Sequence, residues 1–226
     1  MLQIGGVPDV PQLFPRWSNS VARLAFATLL LCVPAVVAGL MLHVRSDWFT
    51  GAGIAPVQPV PFSHAHHSGK LGIDCRYCHT GVESSPVAGI PPTRTCMTCH
   101  SQLWTEAEAL APVRESMASG QSLRWTRVTD LADYAYFDHA VHVHNGVGCA
   151  SCHGAVQTMP LTMAPHAFHM GFCLDCHRDP GPNLRPPARI TDMDWSPVDG
   201  AADTRALLAH YDIRSERLDD CSICHR

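Results

Sequence analysis

The chain has 226 residues, 46% of them hydrophobic but only 7% aromatic, and a formal charge of −4. That length suits one ordinary domain, with too few bulky side chains for a generous apolar core. No Lys/Arg cluster stands out, which argues against nucleic acid as a partner.

Leu24 to Leu42, "LAFATLLLCVPAVVAGLML", is nineteen residues without a charge. At about 1.5 Å per residue, such a helix matches the hydrocarbon thickness of a bilayer. Arg16 and Arg23 precede it, and Trp17 and Trp48 flank it as interfacial aromatics do. Pro34 is tolerable there, and Cys32 reads as a small hydrophobe within the span. "VVA" before Gly39 would serve a signal peptidase, but the run is long for a signal core, so the expectation is an uncleaved single-pass anchor. This divides the chain into a cytoplasmic segment (1–20), a transmembrane helix (21–43), a linker (44–61) and a C-terminal domain (62–226). The linker includes "DWFTGAGIAPVQPVP", whose three prolines suggest an extended connection.

Eleven cysteines and fifteen histidines follow a strict pattern. Ten of the cysteines form five C-x-x-C-H motifs: Cys75/Cys78/His79, Cys96/Cys99/His100, Cys149/Cys152/His153, Cys173/Cys176/His177 and Cys221/Cys224/His225. C-x-x-C-H is the signature of covalent c-type haem attachment. The two thiols add to the porphyrin vinyl groups, and the adjacent imidazole becomes the proximal iron ligand. Zinc ribbons use similar gaps, and seventeen and twenty residues separate two of the neighbouring pairs. Five pairs leave a remainder in two-pair zinc sites, however, and histidine after all five by chance has odds on the order of one in a million. The expected cofactors are therefore five haem c groups.

The sixth ligands emerge from an internal repeat. Phe62-Ser-His64-Ala-His66-His67 and Phe137-Asp-His139-Ala-Val-His142 both read F-x-H-x-x-H, followed after six or seven intervening residues by C-x-x-C-H. A second motif begins 21 or 24 residues beyond the first. The two-haem units are thus 62–100 and 137–177, with a fifth haem at 221–225. Histidines three apart share a helical face and reach two irons if the haems lie close. His64, His67, His139 and His142 are the expected distal ligands. For the fifth, Met170 is the first choice, ahead of Met159, His66, His144, His166 and His169. A methionine ligand would raise that haem's potential. His43 reads as interfacial, and His210 is remote from any motif.

With haems replacing the apolar core, the fold class expected is mainly irregular with short α-helices. Leu103–Gly120 is the best soluble helix, with Thr105 as N-cap, Gly120 as stop and a break at Pro112. Asn145-Gly146 and Pro180-Gly181-Pro182 mark turns. Arg178 and Arg226 follow haem histidines and suit either propionate or solvent; Asp138 and Asp175 read as solvent-exposed.

The motif contexts "IPPTRTCMTCHSQ" and W-x-RV-x-DL-x-DY-x-YF-x-H go beyond what haem attachment demands. Together with "PFSHAHHSGK", "MGFCLDCHR" and "CSICHR", they resemble the pentahaem class III-type cytochrome c subunits of alternative complex III, a bacterial quinol:electron-acceptor oxidoreductase. The resemblance covers most of Pro61 to Arg178 and the last residues; 179–220 carries little of it. It implies the inner (cytoplasmic) membrane, with the haem domain periplasmic. The implied partners are integral quinol-binding and iron–sulfur subunits, with a monohaem cytochrome c, another soluble acceptor or a terminal oxidase beyond. The alternatives are a free-standing quinol dehydrogenase feeding a periplasmic reductase and a multihaem catalyst with an open iron; no distal Arg/Tyr/His constellation supports the latter.

Overall fold

The structure is a computed structural model that describes residues 13–197 and 201–225, without the side chains of 201 and 202. Residues 1–12 of the segment expected to be cytoplasmic, and Arg226, lie outside the described residues. The chain forms two compact units, Met1–Thr50 and Gly51–Arg226.

The first unit contains α1 (Ser18–Val44) and the single turn α2 (Asp47–Thr50). Helix α1 starts three residues before the expected boundary and ends one after it. No side chain of α1 is buried, and it is long and apolar enough to cross a membrane. At about 1.5 Å per residue its 27 residues span roughly 40 Å, more than a bilayer core of about 30 Å. The Ser46 hydroxyl caps its C-terminus by donating to the His43 carbonyl at 2.7 Å. Trp48 and Phe49 both pack against the His43 ring, with centroids 5.5 Å away.

The second unit has no strand among the described residues; its only β pairing is an antiparallel bridge between Val147 and Leu184. Eight short helices carry the chain: α3 (Cys75–Cys78), α4 (Thr93–His100), α5 (Ala111–Ser119), α6 (His139–His144), α7 (Cys149–His153), α8 (Met170–Arg178), α9 (Ala201–His210) and α10 (Cys221–Cys224). Among the described residues the buried hydrophobic ones are Ala52, Val60, Val113, Met159, Ala164 and Leu184.

The expected linker is not free of the domain. Ala52 and Val60 are buried, and the Gly53 N–H donates to the Ala164 carbonyl at 2.7 Å. The Gln58 amide exchanges two hydrogen bonds with the Thr126 backbone, at 2.8 and 2.9 Å. The expected helix from Leu103 is shorter too. A 3₁₀ turn, Glu108–Leu110, leads into α5, whose first turn contains Pro112. Proline lacks an N–H that the first turn would leave unpaired, so it opens this helix rather than breaking it. Thr105 is therefore not the N-cap, while Gly120 does end the helix, at φ 72°. Helix α5 braces α4 through Val113 and a 2.7 Å Thr93–Ser116 hydroxyl pair.

The stretch 181–192, outside the repeat, clamps the third motif. Leu184 is 1% exposed and Arg185 7%. The Arg185 N–H donates to the Gly146 carbonyl at 2.8 Å, and the Gly148 N–H to the Asn183 carbonyl at 3.1 Å. The Tyr211 hydroxyl closes the clamp by donating to the Arg185 carbonyl at 2.8 Å. A β-carbon on Gly148 would run into the Arg185 side chain. Gly148→Ala is therefore expected to destabilise the domain by about 1–3 kcal/mol, the usual cost of overpacking, read as a lowered Tm.

Candidate haem-binding site

Each C-x-x-C pair lies on a single helical turn, so its two sulfurs face one side and the histidine follows at the turn's end. The first turn is capped by Asp74, whose carboxylate accepts the Arg76 N–H at 2.8 Å. Helix α6 is capped by Asp138, which accepts the Val141 N–H at 3.2 Å. Asp138 therefore has a structural task, in place of the solvent exposure expected of it. All eleven cysteines are unpaired.

The histidines of the repeat meet those of the motifs in pairs. His64 faces His79 with ring centroids 6.4 Å apart and planes 10° from parallel. His67 faces His100 at 6.2 Å and 66°, His139 faces His153 at 6.4 Å and 6°, and His142 faces His177 at 6.2 Å and 21°. With a metal–nitrogen bond of about 2.0 Å and a nitrogen about 1.1 Å from the ring centre, imidazoles on opposite sides of one metal have centres about 6.2 Å apart. All four gaps match that separation. Two protein ligands across a gap are what a porphyrin iron needs, since the macrocycle supplies the other four nitrogens. Among the described residues no cluster of three or more His, Cys, Asp or Glu is placed to hold a bare metal ion.

Ring orientation is fixed from behind. The Nδ1 of each of four C-x-x-C-H rings lies against a carbonyl: His79 with Gly89 at 2.8 Å, His100 with Leu103 at 3.2 Å, His177 with Leu218 at 2.7 Å and His225 with Tyr134 at 3.1 Å. Among the distal candidates, His67 meets the Ser63 carbonyl at 2.9 Å, His139 that of Pro86 at 2.8 Å and His142 that of Asp138 at 2.7 Å. His64 meets the Thr162 hydroxyl at 2.9 Å. A proton held on Nδ1 leaves the Nε2 lone pair facing the gap, the tautomer a metal requires.

Burial favours the neutral form of three of these rings. It is the largest cause lowering the pKa of His64 and of His153 to about 4, with His79 and His139 respectively as the next contributors. His142 is lowered as well, again chiefly by burial. Because an unfolded histidine takes up its proton near pH 6.5, the native state binds fewer protons between that pH and about 4. Stability is thus expected to be complete above pH 6.5 and to fall as the pH drops toward 4, a trend that ligation reinforces. A Tm series across that range should be flat above pH 7 and decline below 6.5; constant Tm down to pH 4 would contradict it.

The remaining candidates sit differently. His66 lies 6.1 Å from the Trp104 ring, and His144 holds the Glu83 carbonyl with its Nε2 at 2.8 Å. His169 caps α8 by accepting the Phe172 N–H on Nδ1 at 3.3 Å. His166 packs on Phe172 at 4.3 Å with its Nε2 buried. Met159 is buried, while Met170 is 60% exposed and lies one helical turn before Cys173. The aromatic ring beside His225 is that of Tyr134, 5.8 Å away and tilted 32°, in place of the second imidazole seen at the other four motifs. Arg178 pairs with Asp219 at 3.4 Å in solvent.

Sequence reasoning missed the acceptors behind the rings, because backbone carbonyls leave no trace in side-chain identity. Asp138 alone carried a readable signal, as an N-cap residue directly before a histidine pair.

No family model matches the chain. Over 169 residues it is 36% identical to a protein of Nitratidesulfovibrio vulgaris (strain Hildenborough), the multihaem cytochrome c subunit of a menaquinone reductase. The alignment covers 74% of this chain and 67% of the relative.

Proposed function

The chain belongs to the multihaem cytochrome c family, and on that premise we propose that it carries five haem c groups and moves electrons for a membrane quinone-linked complex. The carrying observation is the set of four imidazole pairs at 6.2–6.4 Å. Numbered along the chain, haem 1 is held by Cys75 and Cys78 between His79 and His64, and haem 2 by Cys96 and Cys99 between His100 and His67. Haem 3 is held by Cys149 and Cys152 between His153 and His139, and haem 4 by Cys173 and Cys176 between His177 and His142. Cys221 and Cys224 hold haem 5, with His225 as proximal ligand and Met170 as the sixth. A thioether there would raise the potential of haem 5 and bias electrons toward it.

Haem irons held there would supply one-electron oxidation and reduction. The protein supplies fixed axial ligands, backbone acceptors that hold each ring, and a path along which no bond forms or breaks. Helix α1 anchors the chain in the cytoplasmic membrane with the haem domain periplasmic. It sits beside integral and iron–sulfur subunits of a complex like alternative complex III, taking electrons from quinol toward a monohaem cytochrome c, another soluble carrier or a terminal oxidase.

The menaquinone reductase relative favours a second reading, in which electrons run toward the quinone. Mild-detergent extraction followed by mass spectrometry of the copurifying chains, then mixing with quinol, tests both. Recovery with iron–sulfur and polytopic subunits, and haem reduction by quinol, supports the first reading. Haem oxidation by quinone after reduction from a soluble cytochrome supports the second. Recovery alone with direct reduction by quinol would make the chain a free-standing dehydrogenase.

A further inference from the structure

The five-haem reading leaves open which haem neighbours which, and the contacts between motifs answer it. Motifs 1 and 2 share the π-helical turn Ala65–Lys70 and its preceding residue, which present His64 to one gap and His67 to the other. They also touch directly, since the Tyr77 and Thr98 hydroxyls, each inside its C-x-x-C, lie 2.9 Å apart. Motif 1 abuts motif 3 as well. The Thr191 hydroxyl donates to the Asp74 carboxylate at 2.9 Å, while the neighbouring Ile190 carbonyl accepts the Cys149 N–H at 3.1 Å. From the other side, the loop after motif 1 accepts His139 Nδ1 on Pro86 and His144 Nε2 on Glu83, both at 2.8 Å.

Motifs 3 and 4 share α6, with His139 facing one gap and His142 the other. Asn183 joins them: its carbonyl accepts the Gly148 N–H at 3.1 Å, and its amide reaches Cys176 Sγ at 3.5 Å. Motif 4 meets motif 5 where His177 Nδ1 donates to the Leu218 carbonyl at 2.7 Å, three residues before Cys221, beside the Arg178–Asp219 pair.

We propose that the motifs are arranged in the spatial order 2–1–3–4–5, so that electrons enter and leave at motifs 2 and 5, and motif 1, not motif 2, is the bridge to motif 3. Exposure supports this independently of the contacts. The haem-motif cysteines that are exposed are Cys99 and Cys221, one in each terminal motif, while both cysteines of motifs 1, 3 and 4 are partly covered. An order following the sequence would instead leave motif 1 at an end, and motif 1 is the one wedged between two others.

The proposal rests on the five-haem reading, and the test separates the two. Iron positions in the haem-loaded, detergent-purified protein, determined by cryo-electron microscopy or anomalous scattering, should show iron 3 closer to iron 1 than to iron 2, with irons 2 and 5 at the ends. Five irons in any other order would overturn the arrangement alone; fewer than five would overturn the reading beneath it. A kinetic test uses a photoactive electron donor on Ser101→Cys, beside motif 2, in a Cys32→Ser background. With His64→Met deepening the trap at motif 1, arrival at haems 3–5 should slow by about a hundredfold, the ratio that about 120 mV imposes on one electron. An unchanged arrival rate would overturn the order, since electrons would then pass from motif 2 to motif 3 without crossing motif 1.

Discussion

Replacing His67 with alanine is expected to turn one haem of five from low-spin to high-spin and to open it to carbon monoxide, while the same change at His66 leaves the spectrum unaltered. The two residues are adjacent in sequence but face different surroundings. His67 is stacked on Phe62 at 4.5 Å, held through Nδ1 by the Ser63 carbonyl, and set 6.2 Å from His100. His66 lies against the exposed Trp104 ring and faces no motif histidine. If His67 ligates the iron opposite His100, its loss would leave that iron five-coordinate and move its potential, since axial ligation sets haem potential over about 0.8 V across proteins. Electron paramagnetic resonance and the stoichiometry of carbon monoxide binding, one per chain, read the change. A high-spin haem in His66→Ala, or none in His67→Ala, would contradict the assignment.

The largest effect on stability is expected at the third motif. Cys149→Ser with Cys152→Ser should prevent the domain from accumulating, whereas Cys221→Ser with Cys224→Ser should cost one haem and leave the remaining four. The difference follows from position. Motif 3 is tied to the Asn183–Arg185 clamp, to Ile190 and, through Asp74, to motif 1. The clamp contains Leu184 and Arg185, two of the most buried residues in a domain otherwise short of apolar core. Motif 5 is held by one proximal-ring bond to Tyr134, the Tyr136–Cys224 backbone bond and the segment that meets α8. Haem-stained gels and immunoblots of membranes separate the outcomes. Equal accumulation of both variants would mean that the third motif is not the centre of the domain.

Much of this was legible in the sequence, for a physical reason. Covalent attachment demands a fixed local spacing, so five motifs could be found without knowing the fold. The repeat of F-x-H-x-x-H drew attention to the four histidines that the structure sets opposite proximal rings. Their pairing could not be read, because it depends on where a six-residue turn points its two side chains. The tail 179–220 looked uninformative, yet its residues bridge motifs 3 and 4 and hold His177 from behind. They do so through backbone carbonyls and an asparagine, groups with no pattern of their own. The fifth distal position was the least legible. No spacing rule governs a lone ligand, and Met170 recommended itself only by lying one turn from Cys173. Pro112 was misjudged because proline can both break and open a helix, and only the chain before it decides which.

Counting haems on the intact chain tests the central claim most directly. Mass spectrometry of the purified protein under denaturing conditions, which keep thioether bonds intact, should give the polypeptide mass plus five haems, and the native protein should show predominantly low-spin spectra. A chain carrying fewer than five haems, or one without haem bands, would contradict the account.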